Sequence, residues 1–231
     1  MKRLMTILVA ALPLLAMEQK SLEVSVDSVG KVSTKIEEAQ RFKIAELKIS
    51  GPLNGADIKL LQQIVNRTKT NKKNPGECLV TSIDLSDARI MGGKEGIKTK
   101  NDELPGGLFS GAKMLTKVLI PNTTAVIGKN CFEKCVNLTE IPIPETVITI
   151  ESEAFEDCEK LSSISLPAHL KTLGNGVFEG CKALTAISIP EDVKELGTDL
   201  FRSCENLTAV TLPDRLKSVG SNAFRDCKHL T

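Results

Sequence analysis

Cysteine is the residue whose spacing most suggests chemistry in this 231-residue chain. Five of its seven cysteines follow a 23-residue spacing, at Cys135, Cys158, Cys181, Cys204 and Cys227. Thiols in register could form disulfides or bind a metal. Parallel side chains on stacked rungs ~4.8 Å apart fit disulfide geometry poorly, and no histidine shares the register to complete a zinc site. We therefore predict buried free thiols and no metal site.

Residues that could perform acid–base or nucleophilic catalysis are sparse. The chain has two histidines, His169 and His229, and neither has an evident catalytic partner. It contains no G-x-S-x-G motif, no P-loop and no His-Glu-x-x-His motif. With 30 basic and 29 acidic residues, its net charge of +1 gives no general attraction to nucleic acid. The sequence predicts a protein that is not an enzyme, has no cofactor and binds no nucleic acid.

The elements that position these residues follow the same 23-residue period. Phenylalanine, leucine and proline recur with the cysteines, as at Phe132, Leu138 and Pro144. Four residue types with one period predict stacked structural repeats. The segment from Leu138 to Ile143 has the spacing L-x-x-I-x-I, in which two isoleucines point inward from a short strand that Pro144 ends.

The rest of each unit is predicted to close the coil. Val147 and Ile150 turn the chain back, and an Ala-Phe pair with its cysteine forms a short helical or 3₁₀ turn on the far side. Glycines follow the equivalents of Ile150, where we expect a tight turn with positive φ: Gly174, Gly197 and Gly220. Four phenylalanines are expected in one buried column: Phe132, Phe155, Phe178 and Phe201.

Before the regular units the repeat is stretched. We predict seven strand rungs, beginning near residues 47, 83, 118, 141, 164, 187 and 210. A helix capped by Asn54 or Asp57 lies in the first gap, with an apolar stripe of Ile58, Leu61, Ile64 and Val65. Leu22, Val24 and Val26 alternate like a strand, and residues 32–42 favour a helix. These helix-bearing units are expected to cap the core.

The pattern Ala-Phe-x-x-Cys-x-x-Leu-x-x-Ile-x-Ile-Pro-x-x-Val-x-x-Ile-Gly resembles the BspA-type leucine-rich repeat of bacterial surface and secreted proteins. The resemblance covers residues 104–231. It implies an α/β solenoid, a right-handed leucine-rich-repeat superhelix with short parallel strands. It also implies a protein-binding role, since characterised members are implicated in adhesion to host or bacterial proteins.

The chain divides into three predicted regions: a signal peptide at 1–16, irregular capping repeats at 17–103, and regular repeats at 104–231. The basic start at Lys2 and Arg3, followed by a short apolar run to Ala16, is typical of a secretory signal. No later segment is apolar enough to predict a transmembrane helix. The last repeat stops at Thr231 before its strand, so we expect further repeats or an end-to-end dimer through the open rung.

Ligand binding is predicted on the outward positions of the concave strand face. The positions on the four later strands are Glu140, Pro142, Ser163, Ser165, Ala186, Ser188, Ala209 and Thr211, after Lys117 and Leu119 on the first. The chain has no Trp and no Tyr, which disfavours glycan recognition by ring stacking. A second surface is the lysine stripe: Lys171, Lys194 and Lys217. Beside Glu191 and Asp214, it is more typical of a salt-bridged edge than of a binding site.

Two other functions are compatible with the same pattern. Regular repeats could form a spacer that holds another domain away from the cell surface. They could also form the accessory domain of a secreted degradative enzyme, which would require a catalytic domain elsewhere. The leading prediction is a secreted or cell-surface module that binds a protein ligand.

Overall fold

The computed structural model describes residues 20–36, 43–66 and 80–231 of the chain. The predicted signal peptide at 1–16 and Cys78 lie outside these residues, as does the later part of the helix predicted at 32–42. Two helices are present in the described part, α1 (Val32–Lys35) and α2 (Gly55–Val65). The strands in chain order are β1 (Lys20–Ser25), β2 (Ile44–Leu53), β3 (Ser82–Asp84), β4 (Ala88–Ile90), β5 (Glu103–Leu104), β6 (Lys117–Leu119), β7 (Val126–Ile127), β8 (Thr149–Ile150), β9 (Thr172–Leu173), β10 (Ala186–Ser188), β11 (Glu195–Leu196), β12 (Ala209–Thr211) and β13 (Ser218–Val219).

The N-terminal units form one parallel sheet with the first regular repeat. Its strands lie in the order β1-β2-β3-β6, and β4 pairs with the later half of β2. Leu47 lies beside Ile83, and Ile83 lies beside Val118, all three on inward positions. The stretched spacing upstream therefore keeps the same column of inward side chains, as the alternation of apolar residues predicts.

Helix α2 begins with a reciprocal cap. The Asn54 side chain accepts hydrogen bonds from the amides of Ala56 and Asp57, at 3.0 and 3.3 Å, while the Asp57 carboxylate accepts the Asn54 amide at 3.1 Å. Both predicted capping residues therefore take part. The predicted apolar stripe is buried: Ile58, Leu61, Ile64 and Val65. A helix was predicted over residues 32–42. The structure describes this segment only to residue 36, and there helix α1 covers four residues.

The first strand column continues through the regular repeats, but not every rung is a strand. Ile187 of β10 lies beside Val210 of β12 in a parallel pair. At 141 only an isolated bridge joins Glu140 to Lys117, and the segment at 164 has no strand assignment. The prediction of strands at these two of the seven rungs, near residues 141 and 164, is therefore wrong. Pro142 contributes to the interruption because it has no N–H to donate to the ladder.

A second column of short strands was not predicted from the sequence. Strands β5, β7, β8 and β9 form one parallel sheet, and β11 and β13 form another. The buried position of these strands holds Leu104, Ile127, Ile150, Leu173 and Leu196. Ile150, one of the two residues predicted to turn the chain back, and its equivalents therefore also belong to a strand ladder between coils.

The phenylalanines form the predicted buried column on the far side of each coil. Neighbouring rings lie parallel, with centroids 5.2 to 5.8 Å apart from Phe109 to Phe224. Each coil turns there through hydrogen bonds between residues three apart, such as Cys135 N–H to the Phe132 carbonyl at 3.1 Å. The amide of Phe178 donates to the Leu200 carbonyl of the next coil at 3.0 Å, so the backbone fixes the spacing of the rings.

The glycines after the second strand column were predicted to need positive φ, and that prediction is wrong. Among non-glycine residues, positive φ falls two residues later, as at Glu153 and Asp199, and directly before the cysteine, as at Asp157 and Ser203. Close approach limits Gly197 instead, because a Cβ there would lie 2.5 Å from the Gly174 carbonyl oxygen. Glu151 fills the equivalent position of an earlier coil, so the turn itself can be made without glycine. Gly174 and Gly220 are equally close to the backbone of the neighbouring coil, at 2.4 and 2.5 Å.

Short parallel strands stacked with one period give the described chain the architecture of a repeat solenoid. Its core is a single cluster that runs from Val24 to Leu207. The right-handed winding and the capping role of the N-terminal helices stay predictions. Among the described residues, neither helix is long and apolar enough to cross a membrane.

Candidate binding face

The predicted binding residues lie together on the first strand column and point to solvent. All eight are exposed, while the isoleucines between them are buried: Glu140, Pro142, Ser163, Ser165, Ala186, Ser188, Ala209 and Thr211. This pattern follows from strand geometry, since successive side chains point to opposite sides. Leu119, one coil earlier, is half-buried rather than exposed.

Five of these eight residues line one groove. The groove has a volume of about 580 Å³ and crosses the strand face of three consecutive coils, with Glu145 of the coil before them at its edge. Its predicted members are Ser165, Ala186, Ser188, Ala209 and Thr211. These five side chains are all small. Glu140 and Pro142 occupy the same two positions with bulkier side chains, and neither lines it.

The groove also includes residues that the sequence analysis missed. Ile164, Ile187 and Leu166 give it an apolar floor, and Pro190, Ala168 and Glu145 line it at the turn after the strand. Ile164 and Ile187 are 8% and 5% exposed, whereas Val118 is fully buried. The recurring proline could have indicated these missed residues. It ends each strand segment, and the residues that follow it, such as Glu145 and Ala168, form the turn that borders the groove.

Glu145 is the one charged side chain among the residues that line the groove. Its Oε2 accepts a hydrogen bond from the Ala168 amide of the next coil at 3.2 Å. No ion pair joins its carboxylate to a basic side chain among the described residues. The Ala168 amide thus holds the Glu145 carboxylate at the edge of the groove.

The opposite edge of the strand column is occupied by hydroxyls that join the coils. The Thr208 hydroxyl donates to the Thr185 carbonyl at 3.0 Å, and the Thr116 hydroxyl donates to the Thr81 carbonyl in the same way. These hydroxyl protons are used within the solenoid. None of these four threonines is among the residues that line the groove.

The lysine stripe lies on successive coils but is not the salt-bridged edge that we predicted. The Lys217 amide donates to the Lys194 carbonyl at 2.8 Å, which places the two residues in register. The Lys194 ammonium donates to the backbone carbonyl of Glu191, not to its carboxylate. In the described part of the chain, no ion pair joins the stripe to Glu191 or Asp214. The Glu191 carboxylate accepts the Asp214 amide at 3.4 Å.

The cysteine column is part of the core. Cys131, Cys135, Cys158, Cys181 and Cys204 are buried free thiols, and Cys227 is half-buried. Burial raises the pKa of Cys135 to about 12 and raises the pKa values of Cys158 and Cys181 well above the ordinary range. Such thiols are poor nucleophiles because little thiolate is present.

The remaining candidate metal ligands and catalytic groups do not come together in one site among the described residues. Among residues 20–36, 43–66 and 80–231, no three histidine, cysteine or carboxylate side chains are placed to hold a metal ion. His169 lies 3.8 Å from Asp192, and both side chains are largely exposed. His229 contacts the Glu205 carbonyl through Nδ1 at 2.7 Å. Neither histidine lines the groove.

Solved structures similar to this chain are bacterial leucine-rich repeat proteins. One, from Bacteroides ovatus, is 32% identical with a TM-score of 0.58, over 65% of this chain and 38% of its own. A leucine-rich cell surface protein from Faecalibacterium prausnitzii is 24% identical with a TM-score of 0.52, over 65% of this chain and 46% of its own. The chain thus spans less than half of either protein. The comparison with curated proteins gives no match.

The sequence profile of the BspA type leucine-rich repeat region matches six copies over residues 102–231. This span is more than half of the chain, and it contains the phenylalanine column and the second strand column, while the first strand column begins before it, at β1 and β2. The repeat family is one of interaction modules, and its members are typically surface or secreted proteins. The chain belongs to the BspA-type leucine-rich repeat family.

Proposed function

We propose that the chain is a non-catalytic protein-binding module of a secreted or cell-surface bacterial protein, and that it binds a protein ligand on the strand face. An adhesin-like role, with a host or bacterial surface protein as ligand, is the finer form of this proposal. The observation that carries it is the groove across three coils. Its apolar floor and small side chains allow close approach of another polypeptide.

The composition of the groove favours protein over other ligand classes. No basic side chain lines it, so it lacks the groups that hold phosphate or sulfate. No aromatic side chain lines it either, which disfavours sugar stacking. Five of the seven phenylalanines in the chain are fully buried in the ring column. Apolar contact and backbone hydrogen bonding are the interactions that this face offers.

The proposal is tested with a random peptide library displayed on phage and panned on the purified chain. Peptides that bind are measured again on the double variant Ser165→Arg/Ser188→Arg. Both serines are exposed, so the variant blocks the groove while changing the free energy of unfolding little. We expect the double variant to lose binding. The matched control is Lys171→Ser/Lys194→Ser/Lys217→Ser, which should bind as the unchanged chain does.

Three results would count against the proposal. Binding that survives the two arginines but is lost in the lysine variant would move the ligand to the lysine stripe. Binding that both variants keep would place the ligand on another surface. Failure to recover any specific peptide would favour the spacer function.

Export is proposed from the first residues of the sequence and from the surface or secreted location typical of the family. A fusion of residues 1–25 to an alkaline phosphatase without its own signal tests it, because that enzyme is active only after export. We expect activity, and we expect none when Leu8 and Leu12 in the apolar run are both changed to Arg. An inactive unchanged fusion would overturn the proposal of a signal peptide at 1–16.

We also propose self-association, and two exposed apolar side chains on the last described coil support it. Leu212 and Val219 are 43% and 49% exposed, while the equivalent Ile189 and Leu196 one coil earlier are each 3% exposed. Exposed strand edges with apolar side chains favour pairing. We propose an end-to-end dimer of this chain, measured by light scattering. Leu212→Lys/Val219→Lys should give monomers, and an unchanged chain that is monomeric at high concentration would overturn the dimer.

A further inference from the structure

We propose that the groove binds an extended polypeptide segment with one basic side chain, and that this side chain pairs with Glu145. The inference rests on the proposed function and specifies the chemistry of the ligand. It follows from three features of the groove: its length, the size of its side chains, and the charge at its edge.

The length of the groove fits an extended chain. Its lining crosses the coils of Ile164, Ile187 and Ala209. Rungs of stacked parallel strands lie ~4.8 Å apart, so three rungs span about 10 Å. An extended polypeptide advances ~3.3 Å per residue, so three to four residues cover this distance. A helix, about 10 Å in diameter with its side chains, would contact mainly the rim of so shallow a surface.

The lining sets the size of the side chains that can enter. Between the small side chains of Ser165, Ser188 and Ala186, Ile164 keeps 8% of its surface exposed and Ile187 keeps 5%. Leu166 beside them is half-buried and is the most exposed part of the apolar floor. Apolar contact with this floor requires small or aliphatic side chains, since the groove is not a deep pocket. Extended polypeptides present such side chains on alternate positions. The segment therefore carries aliphatic residues toward the floor.

The charge at the edge selects a basic residue. Glu145 is the one charged side chain that lines the groove, and the Ala168 amide at 3.2 Å holds its carboxylate in place. No lysine or arginine among the described residues forms an ion pair with it. A carboxylate accepts charge-assisted hydrogen bonds from lysine or arginine. An acidic ligand residue at this position would be repelled.

The test uses three synthetic peptide libraries that differ only at one central position, fixed as Lys, Ala or Glu, with the other positions random among small and aliphatic residues. Binding to the purified chain is measured by fluorescence anisotropy at low salt. We expect the Lys library to bind roughly fivefold more tightly than the Ala library, the upper range for a partly exposed ion pair. The Glu library should bind most weakly, and added salt should reduce the differences.

Variants of the chain separate the two proposals. Glu145→Gln keeps an oxygen that can accept the Ala168 amide, so it should bind all three libraries about equally. Glu145→Lys should prefer the Glu library. The control Glu195→Gln removes an exposed carboxylate on β11, outside the groove, and should keep the preference for Lys.

Each outcome bears on one proposal. Equal binding of all three libraries to the unchanged chain, lost in Ser165→Arg/Ser188→Arg, would overturn the role of Glu145 and leave the groove as the binding site. A preference for Lys that persists in Glu145→Gln would overturn it as well. Binding that the two arginines do not affect would overturn the proposed function itself.

Discussion

The thiol of Cys181 donates a hydrogen bond to the backbone carbonyl of Phe155, with 3.3 Å between sulfur and oxygen. The same contact joins Cys135 to Phe109, Cys158 to Phe132, Cys204 to Phe178 and Cys227 to Phe201, at 3.0 to 3.2 Å. Each of these phenylalanine carbonyls also accepts a backbone amide of its own coil, as Phe155 does from Cys158 at 3.2 Å. The thiol of the next coil therefore adds a second hydrogen bond to the same carbonyl and links the two coils.

The first prediction concerns thiol reactivity. Cys227 should react first with iodoacetamide in the native chain, because its side chain is half-buried and the other described cysteines are fully buried. Burial raises the pKa of Cys181 well above its ordinary value, so almost no thiolate is available there near neutral pH. Mass spectrometry after timed labelling gives the order of reaction. The measurement uses Cys78→Ser to remove the one cysteine outside the described residues. Rapid labelling of Cys181, or a disulfide between Cys158 and Cys181, would contradict it.

The second prediction concerns the ring column. Phe178→Ala should lower the free energy of unfolding by ~3–5 kcal/mol, because it removes a fully buried ring and leaves a cavity. Its ring lies between those of Phe155 and Phe201, at 5.8 and 5.5 Å. Urea unfolding measures the change. Phe224→Ala, at the half-buried end of the column, is the matched control and should cost less. Equal losses in both variants would show that burial in the column does not determine the cost.

The third prediction separates steric from conformational demands on glycine. Gly197→Ala should be strongly destabilising, because its Cβ would lie 2.5 Å from the Gly174 carbonyl oxygen and the coils would have to separate. Gly111→Ala is the control: φ there is +74°, but nothing lies within 4 Å of the added Cβ. Gly111→Ala should lower the free energy of unfolding by only ~1–2 kcal/mol, the cost of placing an alanine in the left-handed conformation. A larger loss for Gly111→Ala, measured by thermal unfolding, would contradict the close-approach explanation.

The fourth prediction concerns Glu156 and Glu133, whose ionisation should change the free energy of unfolding in opposite directions. Burial and the nearby Glu179 raise the pKa of Glu156 above its ordinary value of 4.5. The hydrogen bond from Lys134, with its charge, lowers the pKa of Glu133 despite partial burial. Ionised Glu156 therefore destabilises the fold at neutral pH, while ionised Glu133 stabilises it.

We expect Glu156→Gln to raise the free energy of unfolding at pH 7, and Glu133→Gln to lower it. The Glu156→Gln gain should vanish as the pH falls below 4.5, because the carboxyl is then protonated in both the folded and the unfolded chain. The Glu133→Gln loss should vanish as the pH falls through the lowered pKa of the folded state. Urea titrations at several pH values measure both, and changes of the same sign at pH 7 would contradict the assignment.

Much of the fold could be predicted from periodicity. The spacing of Phe132, Phe155 and Phe178 predicts a ring column because stacked coils bring equivalent residues into contact, and the structure confirms it. The exposed positions Ser165 and Ser188 were predicted from strand alternation, which depends only on local backbone geometry. The glycines were recognised, but their reason was wrong. Close approach of Gly197 to Gly174 involves two coils and cannot be judged from the turn around one residue.

The sequence by itself determined which residues of this protein recur in register, and hence which lie in the core and which face solvent. Only the tertiary structure decided where the strand ladder breaks, that the Cys181 thiol bonds the Phe155 carbonyl, and that Glu145 borders the groove. A repeat pattern specifies equivalent positions along the chain, because burial imposes the same residue type on each coil. The depth of a groove and the partner of a hydrogen bond depend on distances between coils, which are set by packing and backbone geometry across the whole stack.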